Sequence, residues 1–189
     1  MNLDNLTFVS FDTETTSLSP VSGRIIELSG IKFGLKESEM GGFDELINPG
    51  EPIPEEITQI NGITDGMVKD KPKAEKIIPE FLKFITGSRT ILLAHNAGFD
   101  ISFMRMEIKR LELTFPENDC LDTLMLARRA YPELRRHNLP ALVASLGIKQ
   151  EKFHRALDDS FSVKELFLKI IDKKGFQTLS ELGISTFSV

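Results

Sequence analysis

Thr7-Phe-Val-Ser-Phe-Asp12 is a short run of β-branched and aromatic residues that ends on the polar stretch Asp12-Thr-Glu14. Such a run reads as a strand, because these side chains suit a pleated, half-buried surface. Side chains two apart on a strand share a face, so Asp12 and Glu14 point the same way at its end. Two carboxylates held together away from water repel each other, and a cation between them removes that cost. An isolated Asp-x-Glu is more often a solvated turn, so the pair gains meaning only from the rest of the chain.

Working outward, Arg24 to Phe33 reads as a second strand and Gly42 to Asn48 as a third, joined as a hairpin through the polar turn Gly34–Gly41. Pro49 to Pro72 is rich in Pro, Gly and polar residues and reads as a long loop, functional or carrying short helical turns. Ala74 to Ile85 has apolar residues at helical spacing, with Pro79 expected to bend it. Thr90 to Ala94 reads as a buried strand, and Phe99 to Leu111 as a helix with Ile101, Phe103, Met104 and Ile108 facing inward. Further helices follow at Asp122–Ala130, at Leu139–Leu146 closing on Gly147, and at Ala156–Ile171. Three strands followed by alternating helices and strands predict an α/β fold, a mixed sheet flanked by helices. No linker or repeat divides the chain, so a single domain is expected over 1–189, with a motif-bearing core over about 6–171 and a short C-terminal tail, 172–189, that caps the core or binds a partner.

The composition sets outer limits. The 189 residues suffice for one domain with a sizeable core, and 41% hydrophobic with 27% charged residues is an ordinary soluble balance. Fourteen Phe and the aliphatic residues must fill that core, since there is no Trp and one Tyr. The apolar runs are too short to span a membrane, and the N-terminus lacks the layout of a secretory signal. The single cysteine, Cys120, excludes an internal disulfide framework and a Cys-rich zinc site and reads as a small core residue. A cytoplasmic location, with no membrane partner, is the default expectation. The net charge of −5 disfavours a long duplex footprint, although bound divalent cations would offset most of it. That balance favours a short contact at a nucleic-acid terminus.

Two further stretches bring polar groups to element ends. His95-Asn-Ala-Gly-Phe-Asp100 follows the buried strand Thr90–Ala94 and opens a helix. Asn96 suits a helix cap as well as a substrate contact, and Asp100 in a first turn is favoured by the helix dipole. His95 is either a supporting residue of a site or a satisfied strand-end histidine. In open α/β sheets, sites gather at such strand ends. His154-Arg-Ala-Leu-Asp-Asp159 opens the last long helix, where Asp158 and Asp159 also suit the dipole and His154 suits plain exposure. Taken together the three stretches supply four acids and one histidine. Four carboxylates are hard oxygen ligands that suit Mg²⁺ or Mn²⁺, whereas zinc prefers more His or Cys.

In this order and spacing, FDTETT, HNAGFD and HRALDD resemble the DEDD 3′–5′ exonuclease family in its DEDDh branch, which includes the proofreading epsilon subunit of bacterial DNA polymerase III, RNase T and oligoribonuclease. The resemblance runs from about Leu6 to Leu168 and takes in INPGEPIP, QINGIT and CLDTLMLARRAYPELRRHNLPALVASLGI. It implies a ribonuclease H-like fold with a five-stranded mixed sheet. It also implies that Asp12, Glu14, Asp100 and Asp159 are metal ligands and that His154 is the general base. The family's spacing selects Asp159 over Asp158. The implied activity is 3′–5′ hydrolysis of DNA at a single-stranded or frayed end, with release of nucleoside 5′-monophosphates. Two divalent cations about 4 Å apart suit such an in-line displacement. Two positions depart from the family pattern: Ser17 stands where DTETTG has Gly, and Asn61 stands in Ile60-Asn-Gly-Ile63 where the family has His.

The resemblance suggests backbone contacts from Thr15 and Thr16 to the 3′-terminal sugar. Leu18 and Ile60 are candidates to pack on the terminal base, with Asn96 and Phe99 as further substrate contacts. Phe99 is equally a core residue and Asp122 a helix cap. His137 reads as a surface residue. Arg128, Arg129, Arg135 and Arg136 read as a solvated face; if they border the site they meet phosphates upstream of the 3′ end, and Arg155 does likewise. The partners expected are the 3′ end of single-stranded DNA and a DNA polymerase subunit. An exoribonuclease acting on RNA is the alternative within the same chemistry. A non-catalytic module that binds 3′ ends is the alternative outside it, and it predicts a lost ligand or base where all five positions are present.

Overall fold

Phe8, Val9 and Phe11 are each exposed by 1% or less, and a strand that is apolar on both faces needs cover on both. The computed structural model describes residues 6–35, 39–87, 90–114, 116–150 and 155–175. The chain runs β1 (Thr7–Thr15), β2 (Ile25–Phe33), β3 (Gly41–Leu46), α1 (Glu55–Asn61), α2 (Asp65–Val68), α3 (Ala74–Ile85), β4 (Thr90–Ala94), α4 (Gly98–Arg110), β5 (Asp119–Asp122), α5 (Thr123–Ala130), α6 (Leu139–Leu146) and α7 (Ala156–Lys174). The strands make one sheet in the order β3-β2-β1-β4-β5. β1 pairs antiparallel with β2 and parallel with β4, so the expected mixed sheet is present with β1 at its centre.

The two-residue period of β1 sorts its side chains between two layers. On one face Phe8 packs with Leu126 of α5, Leu142 of α6 and Val163 and Phe167 of α7. On the other, Val9 and Phe11 pack with Ile78 and Phe81 of α3 and Phe103 and Met104 of α4. The Phe8 and Phe167 ring centroids are 4.9 Å apart, and those of Phe11 and Phe81 5.9 Å. Asp12 and Glu14 follow Phe8 in phase and face α7, while Thr13 follows Phe11 in phase and faces α4.

The structure amends several expectations. Pro49–Pro72 does carry short helical turns, as its length allowed for: α1 and α2 lie within it, and Ile53, Ile63 and Val68 form a small core with Ile26 of β2. α1 stops at Gly62, whose φ of 73° is left-handed and open to glycine without strain. β5 went unread in the sequence because its four residues, Asp-Cys-Leu-Asp, carry no β-branched side chain and begin and end on acids. Asp122 therefore ends a strand and caps α5 through a bond from Leu124 N–H, as its capping reading anticipated. α7 continues to Lys174, past the expected Ile171. The β2–β3 hairpin is present and Cys120 is fully buried. Among the described residues, no helix is long and apolar enough to cross a membrane. Most of the tail, 176–189, lies outside the described residues, as do 36–38 of the hairpin turn.

Candidate functional site

Asp12 and Glu14 of β1 meet Asp159 of α7 with one carboxylate oxygen from each lying within 4.8 Å of the others. Burial pushes the Asp12 carboxyl well above its usual range, and repulsion from Asp100, Asp159, Glu14 and Glu27 adds to the rise. Burial likewise raises Glu14 to about 7, against a lowering by its bond from Asn61. Three oxygen donors this close, and reluctant to ionise together, fit a hard divalent cation, whose charge relieves both the burial and the repulsion.

Asp100 enters from the opposite layer. It sits in the first turn of α4, is 3% exposed, and accepts through Oδ1 from Thr13 N–H (3.0 Å) and Thr13 Oγ1 (2.8 Å). Burial raises its carboxyl to about 7 while the Thr13 bonds lower it. The alternation along β1 thus serves both layers: even positions present acids to α7, and the odd-numbered Thr13 holds the acid of α4. Thr13 was not singled out in the sequence, because its partner lies 87 residues away.

The first turn of α7 is tied to β2 on either side of Asp159. Glu27, opposite Glu14 in the β1–β2 register and 1% exposed, accepts from Arg155 Nη2 at 2.7 Å and from Ala156 N–H at 2.9 Å. Ser29, opposite Asp12, shares a 2.6 Å hydrogen bond with Ser160. Gln150 donates from Nε2 to Asp159 Oδ1 at 2.6 Å. Arg155, a candidate phosphate contact in the sequence, is therefore engaged with Glu27. The signal for Glu27 was present: an acid inside the apolar run Ile-Ile-Glu-Leu needs a buried partner. Asp158 is half-buried beside this cluster and outside it. His154 lies outside the described residues.

At the β4 end, His95 donates from Nε2 to the His137 carbonyl at 2.8 Å, since a carbonyl only accepts, and its Nδ1 lies 3.1 Å from Thr123 Oγ1. Burial lowers its pKa, so it is a neutral, satisfied strand-end histidine. His137, expected at the surface, is half-buried and bonds through Nε2 to the Tyr131 carbonyl at 3.0 Å. Asn96 does not cap α4: the cap position is Ala97, and Asn96 has a φ of 71° with its N–H on Asp122 Oδ1. Its exposed side chain is left available.

Around the acids, Leu18 is 81% exposed and Ile60 56%, the exposure that base-packing residues need. Thr16 N–H is taken by the Arg24 carbonyl at 2.9 Å, and Thr15 Oγ1 by the Ser17 carbonyl at 2.7 Å. Phe99 packs partly buried against Phe103, with centroids 4.9 Å apart. The turn bearing Leu18 is pinned to α4: buried Glu107 accepts from Arg24 Nε and Arg110 Nη1, and Arg110 also donates to the Pro20, Val21 and Gly23 carbonyls.

This sheet order with helices on both faces defines a ribonuclease H-like fold. It is shared with Exonuclease X in complex with 5′ overhanging duplex DNA, at 27% identity and a TM-score of 0.70, covering 94% of this chain and 98% of that one. The model of the RNase T family, a family of exonucleases, matches residues 9–167, and the chain belongs to that family. It is 40% identical over 96% of its length to a DNA polymerase III PolC-type protein of Caldanaerobacter subterraneus subsp. tengcongensis. It is 38% identical over 98% of its length to a DNA polymerase III subunit epsilon-like protein of Rhodobacter capsulatus. The chain spans 12% of the first relative and 26% of the second.

Proposed function

We propose that the chain is a DEDDh-type 3′–5′ exonuclease that shortens DNA from a single-stranded or frayed 3′ end, releasing nucleoside 5′-monophosphates. The observation that carries this reading is the convergence of Asp12, Glu14 and Asp159 within 4.8 Å at the end of the central strand. Asp100 is the fourth acid, presented by Thr13. Two Mg²⁺ or Mn²⁺ ions bound by these acids would supply charge stabilisation for an in-line displacement at phosphorus. Asn61 fixes Glu14 for that role. His154 accepts the proton of the attacking water at an imidazole nitrogen, as an uncharged histidine near neutral pH can. Leu18 and Ile60 hold the terminal base, with Thr15, Thr16, Asn96 and Phe99 lining its sugar side.

DNA as substrate is supported by the relatives, one a DNA polymerase and one named for a polymerase III subunit, and by the DNA-bound Exonuclease X. The same names support action beside a DNA polymerase. Digestion of 5′-labelled single-stranded DNA and RNA of one sequence, with Mn²⁺, Mg²⁺ or EDTA, tests the reading. A ladder receding from the 3′ end of DNA, absent in EDTA, is the expected result. Shortening from the 5′ end, activity that survives EDTA, or faster loss of RNA would overturn it.

A further inference from the structure

Arg128 and Arg129 on α5, and Arg135 and Arg136 on the segment joining α5 to α6, are all exposed. None of the four has an ion-pair or hydrogen-bond partner among the described residues. The arginines near the acids behave differently: Arg24 and Arg110 are bonded to Glu107, and Arg155 to Glu27. On a chain of net charge −5, four unpaired guanidinium groups on one stretch are a local excess of positive charge. Arg135 and Arg136 also flank a shallow hollow of about 310 Å³ lined by Leu134, Ala141, Ala144 and Ser145.

This face joins the acid end of the sheet through short links. Arg136 precedes His137, whose carbonyl holds His95 Nε2 at 2.8 Å. His95 follows β4, and Asn96 N–H is held by Asp122 Oδ1 at 3.0 Å. Asp122 lies near enough to Asp100 to raise its pKa.

We propose that this arginine face is a binding site for the sugar-phosphate backbone of the strand being shortened, upstream of its 3′ end. The inference rests on the exonuclease reading above and deepens it. Planar guanidinium forks match phosphate oxygens in pairs, and four of them compensate the acidic site for a polyanionic strand. The hollow between Arg135 and the start of α6 has room for an unstacked base beside those phosphates. The face therefore acts on long substrates and leaves the shortest ones untouched.

The test compares wild type with the paired variants Arg128→Gln/Arg129→Gln and Arg135→Gln/Arg136→Gln. Each is made separately, so that a poorly folding pair leaves the other to decide. Fluorescence anisotropy in EDTA reads the affinity for a labelled single strand of about twelve nucleotides against salt, a length within the usual site sizes. The slope of log affinity against log salt should flatten by about 0.7 for each phosphate that is no longer neutralised. With Mn²⁺, KM for the long strand should rise about tenfold when two charged donors are removed, while turnover of a trinucleotide stays at the wild-type value. An unchanged slope and KM in variants that fold overturns the proposal, as does a fall in trinucleotide turnover. Weaker binding of a poly-glutamate peptide with DNA binding intact also overturns it and assigns the face to an acidic protein segment. Wild-type protein that digests neither substrate sinks the exonuclease reading instead, which separates the two failures.

Discussion

The Asn61 amide donates from Nδ2 to Glu14 Oε2 over 3.2 Å, while its Oδ1 accepts the Ile63 N–H at 3.0 Å. One side chain thus locks the end of α1 to the loop beyond Gly62 and aims a site carboxylate. An amide does this without charge, so its donor stays in place across pH and leaves the full negative charge of Glu14 for a cation.

Replacing Asn61 by Ala should therefore lower activity without unfolding the protein. Outer-shell partners of metal ligands typically contribute about tenfold to hundredfold in metal affinity or activity. A loss of that size, partly recovered at high Mn²⁺, is expected from metal titrations of turnover. A variant with wild-type Mn²⁺ dependence would show that Glu14 needs no such support.

Stability without metal should fall as pH rises. Glu14 and Asp100 both sit near 7 in the folded chain, above their ordinary values of 4.5 and 3.8. The folded state therefore holds protons that the unfolded chain releases, and this contribution is complete below the ordinary values and lost as pH climbs through about 7. In EDTA, Tm at pH 5.5 should exceed Tm at pH 8, and Mn²⁺ at pH 8 should restore it. A Tm in EDTA that climbs between those values would contradict the assignment.

Asp12→Asn should separate stability from chemistry. It removes one of the crowded charges, so in EDTA its Tm should match or exceed that of wild type, while activity is lost. His154→Ala should also lose activity but keep wild-type Tm and Mn²⁺ binding. Full activity in either variant would remove that residue from the mechanism.

Glu27→Ala should cost about 1–3 kcal/mol, because it strands the Ala156 N–H and frees a guanidinium that is already one-third exposed. Activity should fall further than stability, since Asp159 sits in the turn that Glu27 holds. Chemical denaturation together with turnover at saturating metal checks both, and equal losses would mean that Glu27 is structural only.

The sequence disclosed most of what repeats locally. β1 was legible because its β-branched and aromatic residues, Thr7, Phe8, Val9 and Phe11, suit a strand, and its alternation placed Asp12 and Glu14 on one face. α3 and α6 were legible from apolar spacing and, for α6, from the glycine that stops it. β5 was not, since its pairing with β4 rather than its composition makes it a strand. Asn96 was read as a cap or as a substrate contact, and the cap reading failed because nothing local announces its positive φ. Thr13 and Asn61 act through partners far off in sequence, and only the fold brings those partners near. Asn61 stood out solely as a departure from a family pattern, with its contact to Glu14 unforeseen.

The placement of the acids has a consequence for the newborn chain. Two come from β1, one from α4 and one from the first turn of α7, the last of the described helices to be synthesised. A ribosome that has delivered the sheet has not yet delivered Asp159, nor Arg155 to tie it down. Translation that stalls short of α7 leaves a fragment holding three of the four acids, so the cluster is completed only when the last of the described helices has been made.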